Sequence, residues 1–127
     1  MTPVELSEAQ IGAVLDLFYT RVRSDPELGP VFAGAIADEE WPAHMATIRD
    51  FWSAVMLKSG RYRGNPLQVH KEIEGVSPEL FTRWLALFDE ACRERLPPDL
   101  AEAMHGRAVQ IADSLKAGLF FHPASAV

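Results

Sequence analysis

From Trp41 to Met56, the residues Trp41, His44, Met45, Ile48, Phe51, Trp52, Val55 and Met56 recur at helical spacing with no slip. That spacing puts them on one face of an α-helix, while Arg49, Asp50 and Lys58 fall on the other. The start of the helix is also marked. Pro42 suits a first turn, where its missing N–H would be unpaired anyway, and Asp38, Glu39 and Glu40 are favourable at the positive end of the helix dipole. Gly60 is the expected stop.

The same logic carries along the rest of the chain. Ser7-Glu8-Ala9-Gln10 reads as a capping box ahead of Ile11, Val14, Leu15, Phe18 and Val22, a helix that should stop near Asp25-Pro26. Between Leu28 and Asp38, prolines and glycines flank Val31-Phe32 without a clean period, which predicts a loop or a short turn of helix. Gly64-Asn65-Pro66 opens a short helix bearing Leu67, His70 and Ile73, closed by Gly75. Ser77-Pro78-Glu79 starts another, with Leu80, Phe81, Trp84, Leu85, Phe88, Ala91 and Cys92 on its buried face and Pro97-Pro98 at its end. Asp99 to Glu102 reads as a further capping box, before Met104, Ala108, Ile111, Ala112, Leu115 and Leu119. No segment alternates as a strand would, so the expected class is all-α, in one domain over residues 1–127 with 1–6 and 120–127 as loose termini.

Charge and cysteine usage exclude several functions. A net charge of −6 without a Lys/Arg cluster argues against nucleic acid as a partner. Cys92 is the single cysteine, so there is no intrachain disulfide and no thiolate metal cage. No stretch approaches the roughly 18 apolar residues of a membrane span, and the N-terminus lacks an export signal pattern. The expectation is a soluble, cytoplasmic protein with no membrane partner.

Four side chains stand out on otherwise apolar faces. His44 and Tyr19 lie among core positions of their helices, Trp84 does the same on the helix after Ser77, and His70 follows the rigid Gly-Asn-Pro entry. Taken singly, each has an ordinary reading: a core histidine bonded to a carbonyl, or an amphipathic aromatic at the edge of solvent. Together they match what haem iron requires, an imidazole on one axial side, an apolar slot, and hydrogen-bond donors on the other. Zinc suits them less, because there is no His-Glu-x-x-His and no Cys-x-x-Cys. Hydrolase and phosphate-loop motifs are absent.

Phe18-Tyr19, Leu28-Gly29-Pro30-Val31-Phe32, Trp41-x-x-His44, Phe51-Trp52, Tyr62-x-Gly64-x-Pro66-x-x-x-His70 and Phe81-x-x-Trp84-Leu85-x-x-Phe88 resemble the third group of truncated haemoglobins in order and spacing. The resemblance runs from about Phe18 to the last helix. It implies a truncated globin-like two-over-two helical sandwich holding a non-covalent haem b, with His70 as the proximal ligand of iron. Tyr19, His44, Trp84 and Ile48 would line the distal pocket. Phe32, Met45, Val69 and Phe81 would contact the macrocycle, and Tyr62 and Arg63 would reach a propionate. Covalent attachment is not expected without Cys-x-x-Cys-His.

The implied ligands are dioxygen and, beyond it, carbon monoxide, nitric oxide, cyanide or peroxide, and the implied role is oxygen binding or transport. One alternative is a haem enzyme that consumes nitric oxide or peroxide with an external reductase. Another is a helical interaction domain without cofactor. A monomer or weak dimer is expected.

Overall fold

The computed structural model describes residues 6–71, 73 and 75–120, and among these every regular element is helical. The helices are α1 (Glu8–Ser24), α2 (Leu28–Ala35), α3 (Trp41–Leu57), α4 (Pro66–Lys71), α5 (Pro78–Arg95) and α6 (Pro98–Phe120), with a turn of 3-10 helix at Asp38–Glu40 before α3. α1 pairs with α3, α5 pairs with α6, and the two pairs meet where α1 packs on α5. That is the two-over-two sandwich. Most of the expected loose termini lies outside the described residues; Leu6 is buried in the core, and Phe120 closes α6 with its ring against Phe81.

Local chemistry explains most boundaries. The Ser7 hydroxyl accepts from the Gln10 N–H while the Gln10 side chain accepts from the Ser7 N–H, so α1 opens with a true capping box. Ser77 caps α5 and Pro78 occupies its first turn. α6, by contrast, starts at Pro98, which places Asp99 inside the first turn rather than at the cap. α3 ends at Leu57, earlier than Gly60, because Lys58 takes the left-handed conformation (φ 57°) and its N–H closes the last turn. α4 stops at Lys71, so Ile73 lies beyond it.

The segment predicted as a loop or a single turn is the two-turn helix α2. Three features make it helical despite Gly29 and Pro30. The buried Asp25 carboxylate accepts from the N–H groups of Glu27 and Leu28 at 3.1 and 2.9 Å, so the first turn is capped from outside. Pro30 falls within that turn, where no N–H is required. Gly29 then lets α2 pack tightly on α1, since a Cβ there would sit 2.9 Å from the Arg23 carbonyl oxygen. Arg83 of α5 donates to the same Asp25 carboxylate at 3.0 and 2.6 Å, which joins the α1–α2 corner to α5. The arginine and the two backbone donors hold the Asp25 carboxyl below the usual aspartate range, against the opposing effect of burial.

Aromatic rings fill the centre. Phe88 lies nearly parallel to Trp84 (5.3 Å, 7°) and to Trp52 (5.0 Å, 19°), and Phe18 meets Phe88 edge-on at 5.0 Å. Trp52 thus ties α3 to α5. Elsewhere the wide face of α3 is poorly covered: its backbone approaches α1 closely but α4, α5 and α6 much less. Trp41, Trp52 and Ser53 are buried, whereas Met45, Ile48, Phe51, Val55 and Met56 remain partly exposed.

Candidate functional site

Tyr19 is delivered by the buried face of α1 and is only 6% exposed. Its ring is surrounded by Phe32 of α2 and by Trp41 and His44 of α3, each 6.0 Å away between centroids. The Trp84 indole N–H lies near the Tyr19 hydroxyl, and an indole can only donate. Burial drives the Tyr19 pKa far above the ordinary phenol range and the neighbouring Trp84 N–H offsets little of this, so the group stays a neutral O–H, free to donate. Trp84 itself is fixed by its stack on Phe88 and by the edge of Phe18 at 5.4 Å.

His44 completes this cluster. Trp41 meets its ring edge-on at 5.2 Å, and Arg23 lies over the outer side of Trp41 at 4.5 Å. Burial lowers the His44 pKa and favours the neutral ring. Its Nε2 is buried and has no hydrogen-bond partner among the described residues. An orphaned buried nitrogen costs about 1–3 kcal/mol, a cost that a bound polar molecule would remove. Met45 and Ile48, one and four residues further along α3, are half-buried.

His70 lies apart from this group. Asn65 caps α4 by accepting from the Gln68 N–H at 3.2 Å, and the His70 Nδ1 lies 2.7 Å from the Pro66 carbonyl oxygen. A carbonyl only accepts, so Nδ1 carries a proton and Nε2 is the ring nitrogen left for another partner. Phe81 of α5 stands 6.3 Å from the imidazole, and Phe120 of α6 backs Phe81 at 6.2 Å. Leu67 seats α4 on α6 over Gly118, where a Cβ would come within 2.7 Å of it. Between α3, α4 and α6 runs an open groove of about 400 Å³ lined by Phe51, Val55, Leu67, Ile111 and Leu115 among others, within the range of small-molecule sites.

The other predicted contacts are dispersed. Tyr62 packs edge-on against Phe51 at 5.1 Å and its ring lies over Gly64, which leaves no space there for a side chain. Arg63 is exposed and makes no ion pair among the described residues. Val69 is 53% exposed. Sequence reasoning did not single out Asp25, Arg83 or Arg61, because nothing in local spacing signals ion pairs to distant partners.

No protein-family model matches the chain. A group 3 truncated haemoglobin from Campylobacter jejuni is 34% identical over 117 residues, 91% of this chain and 92% of that protein. The chain belongs to the group III truncated haemoglobins. The crystal structure of a group III truncated haemoglobin from Campylobacter jejuni superposes with a TM-score of 0.87 at 33% identity, covering 95% of this chain and 97% of that one. This truncated haemoglobin is therefore a globin-type haem protein. Two of its own features fit the group: the incompletely covered apolar face of α3, and the orphaned Nε2 of His44. No described helix is long and apolar enough to cross a membrane.

Proposed function

We propose that this chain holds a non-covalent haem b through Nε2 of His70 and takes dioxygen or another diatomic gas on the side lined by Tyr19, His44, Trp84 and Ile48. The observation that carries the reading is the bond between His70 Nδ1 and the Pro66 carbonyl, which orients the ring and leaves Nε2 as the nitrogen available to a metal. When bound, haem supplies a ferrous iron able to accept a gas molecule. Selection and retention of the gas fall to the chain. With the Trp84 indole N–H, which can only donate, beside the Tyr19 hydroxyl, the phenolic proton is left to donate to an electron-rich ligand. A hydrogen bond to a charged group contributes about 1.5–3 kcal/mol, or roughly 10- to 150-fold in retention. The neutral His44 ring supplies a further donor or acceptor at Nε2. Phe32, Met45, Val69 and Phe81 provide apolar contact with the macrocycle, and Tyr62 and Arg63 reach its propionates.

Spectra of the purified protein in ferric, ferrous and carbon monoxide forms test the cofactor: a Soret band that shifts at each step is expected, and a featureless spectrum after haem reconstitution overturns the reading. His70→Gly should bind haem only with added imidazole, and a variant that keeps a histidine-ligated spectrum without it removes His70 from the site. Tyr19→Phe and Trp84→Phe should speed dioxygen release by the factor above; unchanged stopped-flow rates in both singles and the double overturn the donor roles. Turnover of nitric oxide or peroxide is the second reading, favoured by the same cluster of donors. It requires an external reductase and is distinguished by steady consumption of substrate with an added reductant.

A further inference from the structure

The connection between α3 and α4, residues 58–65, carries His70 into place, yet its sequence of small, polar and glycine residues has little to anchor it in a core. Arg61 joins it to two helices at once. The guanidinium donates through Nη2 to the Glu8 carboxylate at 2.8 Å and through Nε to the Asp50 carboxylate at 3.1 Å. Glu8 is held in turn by the hydroxyl of Ser53, which is fully buried and donates at 2.6 Å. Arg61 therefore fastens the connection to the start of α1 and the middle of α3 at once, using donors on two separate nitrogens held in one rigid plane. One residue later Tyr62 packs on Phe51 and covers Gly64, so the constraint passes along the chain to Asn65, the cap of α4.

We infer that Arg61 is a positioning residue for His70: by bridging Glu8 and Asp50 it fixes the connection that sets where α4 begins and where the imidazole points. The inference rests on His70 as the proximal ligand for its consequence, but the tether itself does not. Loss of the bridge releases the connection and α4 as one unit, and a haem held by His70 then dissociates faster.

A matched control is built into the same seam. Arg49 of α3 pairs with Asp16 of α1 at 2.8 Å, with its side chain 48% exposed against 49% for Arg61, but its partner is on α1 rather than in the connection. Hydrogen exchange on the full chain as purified, with or without haem, is the first readout. Arg61→Ala should raise exchange of the amides of 62–71 by about three- to tenfold, as two weak surface pairs warrant, while Arg49→Ala leaves them unchanged. The second readout is haem transfer to an excess of an acceptor apoglobin, expected to accelerate by a similar factor in Arg61→Ala alone. Equal effects of the two variants, or none from Arg61→Ala, overturn the inference. If Arg61→Ala fails to accumulate, Asp50→Asn removes one arm without changing shape and must shift exchange in the same direction. Altered exchange in a protein that takes up no haem keeps the tether and overturns instead the reading of His70 as a haem ligand.

Discussion

Donation from the Trp84 indole N–H to the Tyr19 hydroxyl can be tested by a double-mutant cycle, because each partner has a substitute that removes the polar group and keeps a ring. Trp84→Phe retains a ring to stack on Phe88 but removes the N–H nearest the Tyr19 hydroxyl, at a position 6% exposed. An orphaned hydroxyl costs about 1–3 kcal/mol, and the smaller ring about 1 kcal/mol more in lost apolar burial. Tyr19→Phe strips the acceptor from an indole that is only half-buried, so water can replace part of it and the expected loss is about 0.5–1.5 kcal/mol. In the double variant neither polar group remains, and the loss should be smaller than the sum of the singles by about 1–2 kcal/mol. At about 3–5 °C per kcal/mol for a chain of this size, thermal unfolding resolves that coupling. All four proteins must be compared at equal haem loading, since a ligand bound only to the native state raises apparent stability. A cycle that closes additively to within about 0.3–0.5 kcal/mol refutes the pairing and with it the argument that Trp84 orients the Tyr19 proton.

Asp25 predicts an acid-sensitive corner. Its folded pKa is depressed below the ordinary 3.8, so the contribution is fully present above that value and is lost as pH falls through the lower folded one. Asp25→Asn should cost about 1–2 kcal/mol near neutral pH, with the difference from the parent closing in strong acid; denaturant titrations whose difference does not narrow contradict the pairing with Arg83. Gly29→Ala should destabilise by about 1–3 kcal/mol through its clash with the Arg23 carbonyl. Gly106→Ala, on an open face of α6 with nothing within 4 Å, should instead stabilise by about 0.5–1 kcal/mol, and shifts of the same sign at both positions would contradict this account of α2 packing. Cys92 is fully buried and its thiol is pushed up to about 12, first by burial and then by the nearby Asp89 charge, so a thiol reagent should label it only in denaturant. Prompt labelling of the native protein would place it at the surface.

Much of the architecture was determined by the sequence alone, because helix signals are local. The Ser7–Gln10 box, Ser77-Pro78 and the run from Trp41 to Met56 depend on residues within a turn or two of one another, and those helices form where the pattern places them. The same periodicity put Tyr19, His44 and Trp84 on inward faces, but not at any particular distance from one another. Where the local signal was ambiguous it misled. Gly29 and Pro30 look like helix breakers until Asp25, Arg83 and the end of α1 surround them, and Leu28–Ala35 then becomes a helix. What only the tertiary structure decided are the relations between residues far apart in the chain: Trp84 beside Tyr19, Arg61 across Glu8 and Asp50, and the Nε2 of His44 without a partner among the described residues. Spacing along one helix fixes a direction for each side chain, whereas a hydrogen bond needs two groups within about 3 Å, and that separation is set by how whole helices pack.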